Sequence, residues 1–142
     1  MKFSNTAGHD RRGVTNLAKI LFIAAGIVNL LPTGGALSAD YLGTLYGLAL
    51  DDPNLIILMK HRAVLFGVVG ALLVASAFRE LLRPLALAAG LLSMLSFVLI
   101  ACLERDYNAE LQRVILVDLA ASALLVVAAV ADWRARVGKT AT

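Results

Sequence analysis

Residues 52–78 read DPNLIILMKHRAVLFGVVGALLVASAF, from Asp52 to Phe78. Asp51 or Asp52 can cap a helix, and Pro53 suits its first position, where a missing N–H costs no intrahelical bond. Beyond the proline the stretch is nearly all apolar, yet Lys60, His61 and Arg62 sit inside it. At 1.5 Å per residue a helix over 53–80 is about 42 Å long, against a hydrocarbon core of about 30 Å. The stretch is therefore predicted to cross a membrane, with part of its length protruding or tilted. Its basic cluster lies about two turns past the cap, in the outer third and not at the centre. The fold class that follows is all-α, an integral membrane four-helix bundle in a single domain.

Composition supports this. Of 142 residues, 60% are hydrophobic and only 16% charged, and the mean hydropathy is +0.82. Soluble domains average about 45–50% apolar and about 25% charged. A net charge of +3 could suggest nucleic acid. The basic residues mark the ends of apolar blocks instead of forming one patch, so nucleic acid is excluded as a partner. A single cysteine, Cys102, leaves no internal disulfide and no cysteine metal cluster.

Three further spans flank the first. Residues 1–13 are a polar tail, with His9 as an exposed tail residue. Thr15 or Asn16 can cap a helix over about 15–33, which Pro32 and the Gly34-Gly35 pair stop. The same segment has a rival reading as a secretory leader: a basic start, a short apolar run and the small-residue string Ala36-Leu37-Ser38. Retention as a first helix is expected. Residues 36–50 are too short to cross. Leu42, Leu45 and Ala49 at helical spacing, with Tyr41 and Tyr46 beside them, fit a short interfacial helix or an ordered loop. Arg83-Pro84 opens a span over about 84–103, and the last span covers about 109–132, ending at the interfacial anchor Trp133. Ala63, Gly67, Gly70 and Ala71 form a small-residue face, and Ala86, Ala89, Gly90, Ser93 and Ser96 a second. The serine hydroxyls are expected to bond their own backbone.

With alternate connections on alternate sides, nine Lys and Arg residues fall with the termini: Lys2, Arg11, Arg12, Lys19, Arg79, Arg83, Arg134, Arg136 and Lys139. Four fall opposite: Lys60, Arg62, Arg105 and Arg113. Positive charge favours the cytoplasm, so both termini are expected there.

Charged groups inside spans are costly, at least about 2.5–3.5 kcal/mol each, and should find a partner or water. Asp118 and Arg62 reach similar depth from the outer side. Asp118 is expected to pair with Arg62, or with Lys60 or His61. Asn29 and Ser122 would complete an outward-facing polar pocket. No nucleophile elbow, Walker loop, HExxH motif or Cys/His cluster occurs. No metal or cofactor is expected.

The string HRAVLFGVVGA, preceded by LYGLALDDPNLIILMK and followed by Asp118, resembles a family of small four-pass bacterial membrane proteins. These are similar in size and layout to the DoxX-like four-helix membrane proteins. The resemblance runs from Leu30 to Ala128 and is most specific at HRAVLFG. It implies a four-pass bundle in the bacterial inner membrane, raises the weight of His61 and Arg62, and implies no activity. Such proteins often carry the label phosphopantetheine adenylyltransferase. That enzyme is a soluble α/β protein with an HxGH-type motif, and neither feature is present in this chain.

The leading function is binding of a lipid or small amphiphile in the polar pocket. A structural or accessory subunit without ligand is the second class, using the Gly67/Gly70 face for a copy of itself or another membrane protein. A membrane enzyme on a lipid-soluble substrate, with His61 and Asp118 as acid and base, is the third. A small multidrug-type transporter ranks last, because such proteins carry an essential glutamate in helix 1 where this chain has Asn29.

Overall fold

The computed structural model describes the backbone of residues 5–140 and the side chains of residues 13–137. The expectation for His9 falls outside the described side chains. Five α-helices follow in order: α1 (Asn5–Leu30), α2 (Ala39–Tyr46), α3 (Pro53–Phe78), α4 (Arg83–Glu104) and α5 (Ala109–Thr140). A 3-10 turn, Leu31–Ala36, extends α1, and another, Glu80–Leu82, leads into α4. Among the described residues, four stretches are long and apolar enough to cross a membrane: Gly13–Ala36, Pro53–Phe78, Glu80–Glu104 and Ala109–Val137. The fold is all-α, a four-helix bundle, and its class is a multi-pass membrane protein. The backbone of α1 starts at Asn5, ahead of the cap expected at Thr15 or Asn16.

Local chemistry sets the helix ends. Asp52 caps α3 by accepting from the Asn54 N–H at 2.9 Å, with Pro53 at the first position. Residues 36–50 resolve in favour of a helix: Ser38 caps α2 by accepting from the Tyr41 N–H at 3.2 Å. Gly47 ends it at φ 64°, a left-handed conformation that glycine adopts without the cost a β-carbon adds. Asn108 then ties two elements together. Its Oδ1 accepts from the Leu111 N–H at 2.8 Å, capping α5. Its Nδ2 donates to the carbonyls of Tyr46 at 2.9 Å and Gly47 at 3.1 Å, the open end of α2.

The long helices form a ring. α1 packs on α3 and α5, and α4 packs on the same two, giving the order α1–α3–α4–α5. α3 and α5 therefore face each other across one diagonal, and α1 and α4 across the other. Lipid supplies no hydrophobic drive between helices, so close packing over small residues does the work. Gly70 of α3 lies against Gly26 and Leu30 of α1, Gly67 lies against Thr33, and Gly90 of α4 against Leu125 and Leu73. The Gly67/Gly70 face thus packs against α1 and its 3-10 extension, with Gly70 buried and Gly67 half-buried. Phe22, Leu73, Met94 and Leu125 fill the centre. Ile57, Val68, Leu92 and Leu116 point outward, as residues facing lipid do. The Ser96 hydroxyl bonds the Ser93 carbonyl at 3.2 Å, the backbone bond expected for these serines.

α2 sits at one end of the ring and touches both α3 and α5. It buries Leu42 and Tyr46 against Met59 and Ala63. Tyr46 is only 2% exposed, so it is a plug in the bundle and not an interfacial tyrosine.

Candidate functional site

The depth expectation holds and the pairing expectation fails. Arg62 lies nine residues past Pro53 and Asp118 nine past Ala109, and α3 and α5 start at the same end. Yet Asp118 makes no ion pair with Arg62, Lys60 or His61 among the described residues. The reason is the ring order: α3 and α5 lie on a diagonal, and Tyr46 of α2 is wedged between them. The Arg62 guanidinium instead lies over ring faces, 5.3 Å from the Tyr46 centroid, 5.0 Å from Phe66 and 4.6 Å from Phe97. Such contacts hold a cation by its attraction to the ring quadrupole.

Arg62 and Asp118 open onto different spaces. Asp118 lines a cavity of about 370 Å³ between α1, α2 and α5. Val28, Leu31, Pro32, Leu45, Val114 and Val117 give it apolar walls, with Tyr41 and Tyr46 contributing from α2 and Glu110 and Arg113 from α5. Neither the Asp118 carboxylate nor the Tyr46 hydroxyl makes a hydrogen bond with another described residue. Burial pushes the Tyr46 phenol above its ordinary range; the Arg62 charge opposes that shift, and the Asp118 and Tyr41 charges add to it. Tyr46 thus feels both charges that the sequence suggested would meet. Arg62 lines a separate groove between α3 and α4, on the other side of the ring.

The remaining expected members scatter. Asn29 is buried, but its Nδ2 donates to the Ala25 carbonyl at 3.1 Å and contacts the Met94 sulfur at 3.7 Å. It belongs to the core, because a buried amide takes the nearest acceptor. Ser122 is buried one turn after Asp118, with its Oγ unpartnered, and does not line the cavity. Lys60 is half-buried and His61 exposed, and neither lines either space. The polar pocket expected from six residues is therefore an Asp118 cavity with Tyr46, Glu110 and Arg113. The His61–Asp118 acid–base pair is not assembled.

An ion pair does tie the bundle, at the opposite end. Arg83, 2% exposed, bonds the Asp132 carboxylate across α4 and α5, and its Nε donates to the Ser76 carbonyl at 3.2 Å. Arg136 Nε holds the other Asp132 oxygen at 2.8 Å, and its Nη2 donates to the Glu80 carbonyl at 3.2 Å. The Phe22 ring lies 6.0 Å from the Arg83 guanidinium. Linear position alone puts these residues at helix ends. A finer signal was present. Asp118, Leu125 and Asp132 recur every seven residues and are all buried, so Asp132 stands on the inward stripe of α5.

No family model, curated protein or solved structure matches this chain.

Proposed function

We propose that this protein is a small bacterial inner-membrane protein that binds a lipid or small amphiphile in the cavity between α1, α2 and α5. One observation carries the reading: a cavity of about 370 Å³ with largely apolar walls and a carboxylate, Asp118, that no group among the described residues pairs. Small-ligand sites have this make-up, apolar walls with a few convergent polar groups. An intramembrane charge without a partner is a functional signal by default. Apolar walls accept a chain or ring, while Asp118 and the Tyr46 hydroxyl fix a polar end that donates hydrogen bonds. The bias of Lys and Arg toward the termini supports cytoplasmic termini, and in that orientation the cavity lies toward the outer face.

Native mass spectrometry of the protein released from a mild detergent tests this. A retained non-protein mass in the wild type, lost in a folded Asp118→Asn variant, is the expected result. A bare protein at every activation energy, or an adduct that survives Asp118→Asn, would remove the reading.

A further inference from the structure

The Arg62 side chain lies within the span of α3 and is half-buried. It has no carboxylate within ion-pair distance and no hydrogen-bond acceptor among the described residues. The rings of Phe97, Phe66 and Tyr46 orient the guanidinium but leave its N–H donors unused. Arg62 also heads a groove of about 400 Å³ between α3 and α4, walled by Leu65, Phe66, Val69 and Ile100, with Ser93 and Ser96 on the α4 side. Leu65 and Ile100 are half or more exposed, so the groove opens on the flank that faces lipid.

We infer that this groove seats a membrane lipid with an anionic phosphodiester headgroup, its phosphate on Arg62 and an acyl chain along the apolar walls. A planar guanidinium with free donors matches phosphate oxygens in pairs. Depth agrees. The 26-residue α3 is about 39 Å long, roughly 9 Å more than the hydrocarbon core, so a centred helix puts the Arg62 backbone roughly 9 Å below the boundary. Helical side chains lean toward the N-terminus, which in α3 is the near interface, and arginine extends its head to the polar layer. A soluble anion would have to cross the apolar flank, whereas a lipid already lies in it. The groove lining shares no residue with the lining of the Asp118 cavity, and Tyr46, which lines that cavity, meets the site only through its ring face under Arg62.

The test offers the full chain, in mild detergent, equal amounts of phosphatidylglycerol and of a diacylglycerol with the same acyl chains and no phosphate, and counts the retained lipid by native mass spectrometry. Wild type should prefer phosphatidylglycerol by about tenfold, the scale of a charge-assisted phosphate contact. Arg62→Gln should lose the preference and Arg62→Lys keep part of it, while Arg105→Gln, which removes an exposed charge from the same end, should keep all of it. Equal retention of the two lipids by wild type, or an unchanged preference in Arg62→Gln, would overturn the site. Should Arg62→Gln fail to fold, Ile100→Trp decides. It fills the groove without touching a charge, and an undiminished preference in that variant overturns the proposal. Displacement of phosphatidylglycerol by inorganic phosphate would overturn the lipid in favour of a soluble anion.

Discussion

Gly26 and Gly70 meet backbone to backbone where α1 crosses α3. A β-carbon on Gly26 would lie 2.9 Å from the Gly70 carbonyl oxygen, and one on Gly70 would lie 2.8 Å from the Gly26 oxygen. Backbone cannot swing aside as a side chain can, so the helices must separate. Gly70→Ala should cost about 1–3 kcal/mol, the usual scale of overpacking. Gly90→Ala should cost less, because its new methyl group meets the ends of the Leu125 and Leu73 side chains. Thermal unfolding of both variants in one detergent measures the difference, and equal losses would refute the account.

The buried Arg83–Asp132 pair makes a second, sign-sensitive case. Removing one partner of a buried pair typically costs about 3–5 kcal/mol when the other is left uncompensated. Glu80 lies 3.6 Å from Arg83 and Arg136 holds the second Asp132 oxygen, so Arg83→Met and Asp132→Leu should each destabilise by less than that. The double variant should recover most of it, because apolar groups of similar volume replace a buried pair at little net cost. A double variant as unstable as the singles would show that the Ser76 carbonyl contact, and not the charge, matters most.

Tyr46 supplies the pH dependence. Its phenol is raised above the ordinary value of 10.0, chiefly by burial. A raised folded value means stability fully present below the unfolded pKa and lost as pH climbs through the folded one. Above about pH 10 the unfolded state sheds a proton that the folded state keeps, so folding weakens there. Tyr46→Phe should flatten that alkaline loss. Phenolate absorbance of wild type minus Tyr46→Phe should rise only on the alkaline side of 10.0.

Asn108→Ala should cost about 1 kcal/mol from the lost cap of α5. It also frees the Tyr46 and Gly47 carbonyls. Hydrogen exchange should therefore quicken across Ala39–Tyr46 while α4 keeps its protection. Uniform change across the chain would mean that Asn108 acts on α5 alone.

Much of this architecture was legible in the residues. The Asp52-Pro53 cap, the Arg83-Pro84 start, the small faces and the spans follow from local chemistry, which a linear pattern records directly. Ring order does not. Periodicity says which side of a helix is buried, but not which helix lies across from it. Arg62 and Asp118 were therefore matched in depth and mismatched in neighbourhood, since α2 packs its Tyr46 between α3 and α5. Asn29 misled for a related reason. A polar residue on a span signals a need for an acceptor, and its own Ala25 carbonyl meets that need. The Arg83–Asp132 pair was missed because a charge near the end of an apolar block was assigned to the surface. The seven-residue spacing from Asp118 placed Asp132 on the inward stripe instead.

Four rods joined only to their ring neighbours make a hinged frame, and a square frame shears into a rhombus unless its diagonals are braced. Side chains packed at the centre resist compression, but their contacts are non-directional and slide. Braces cross this frame on both diagonals. α2 spans the diagonal from α3 to α5 at one end. The Asn29–Met94 contact, through a sulfur that is a weak acceptor, and the Arg83–Phe22 contact span the other, from α1 to α4. One diagonal is thus held by an element outside the four spans, and the other by side chains of the spans themselves.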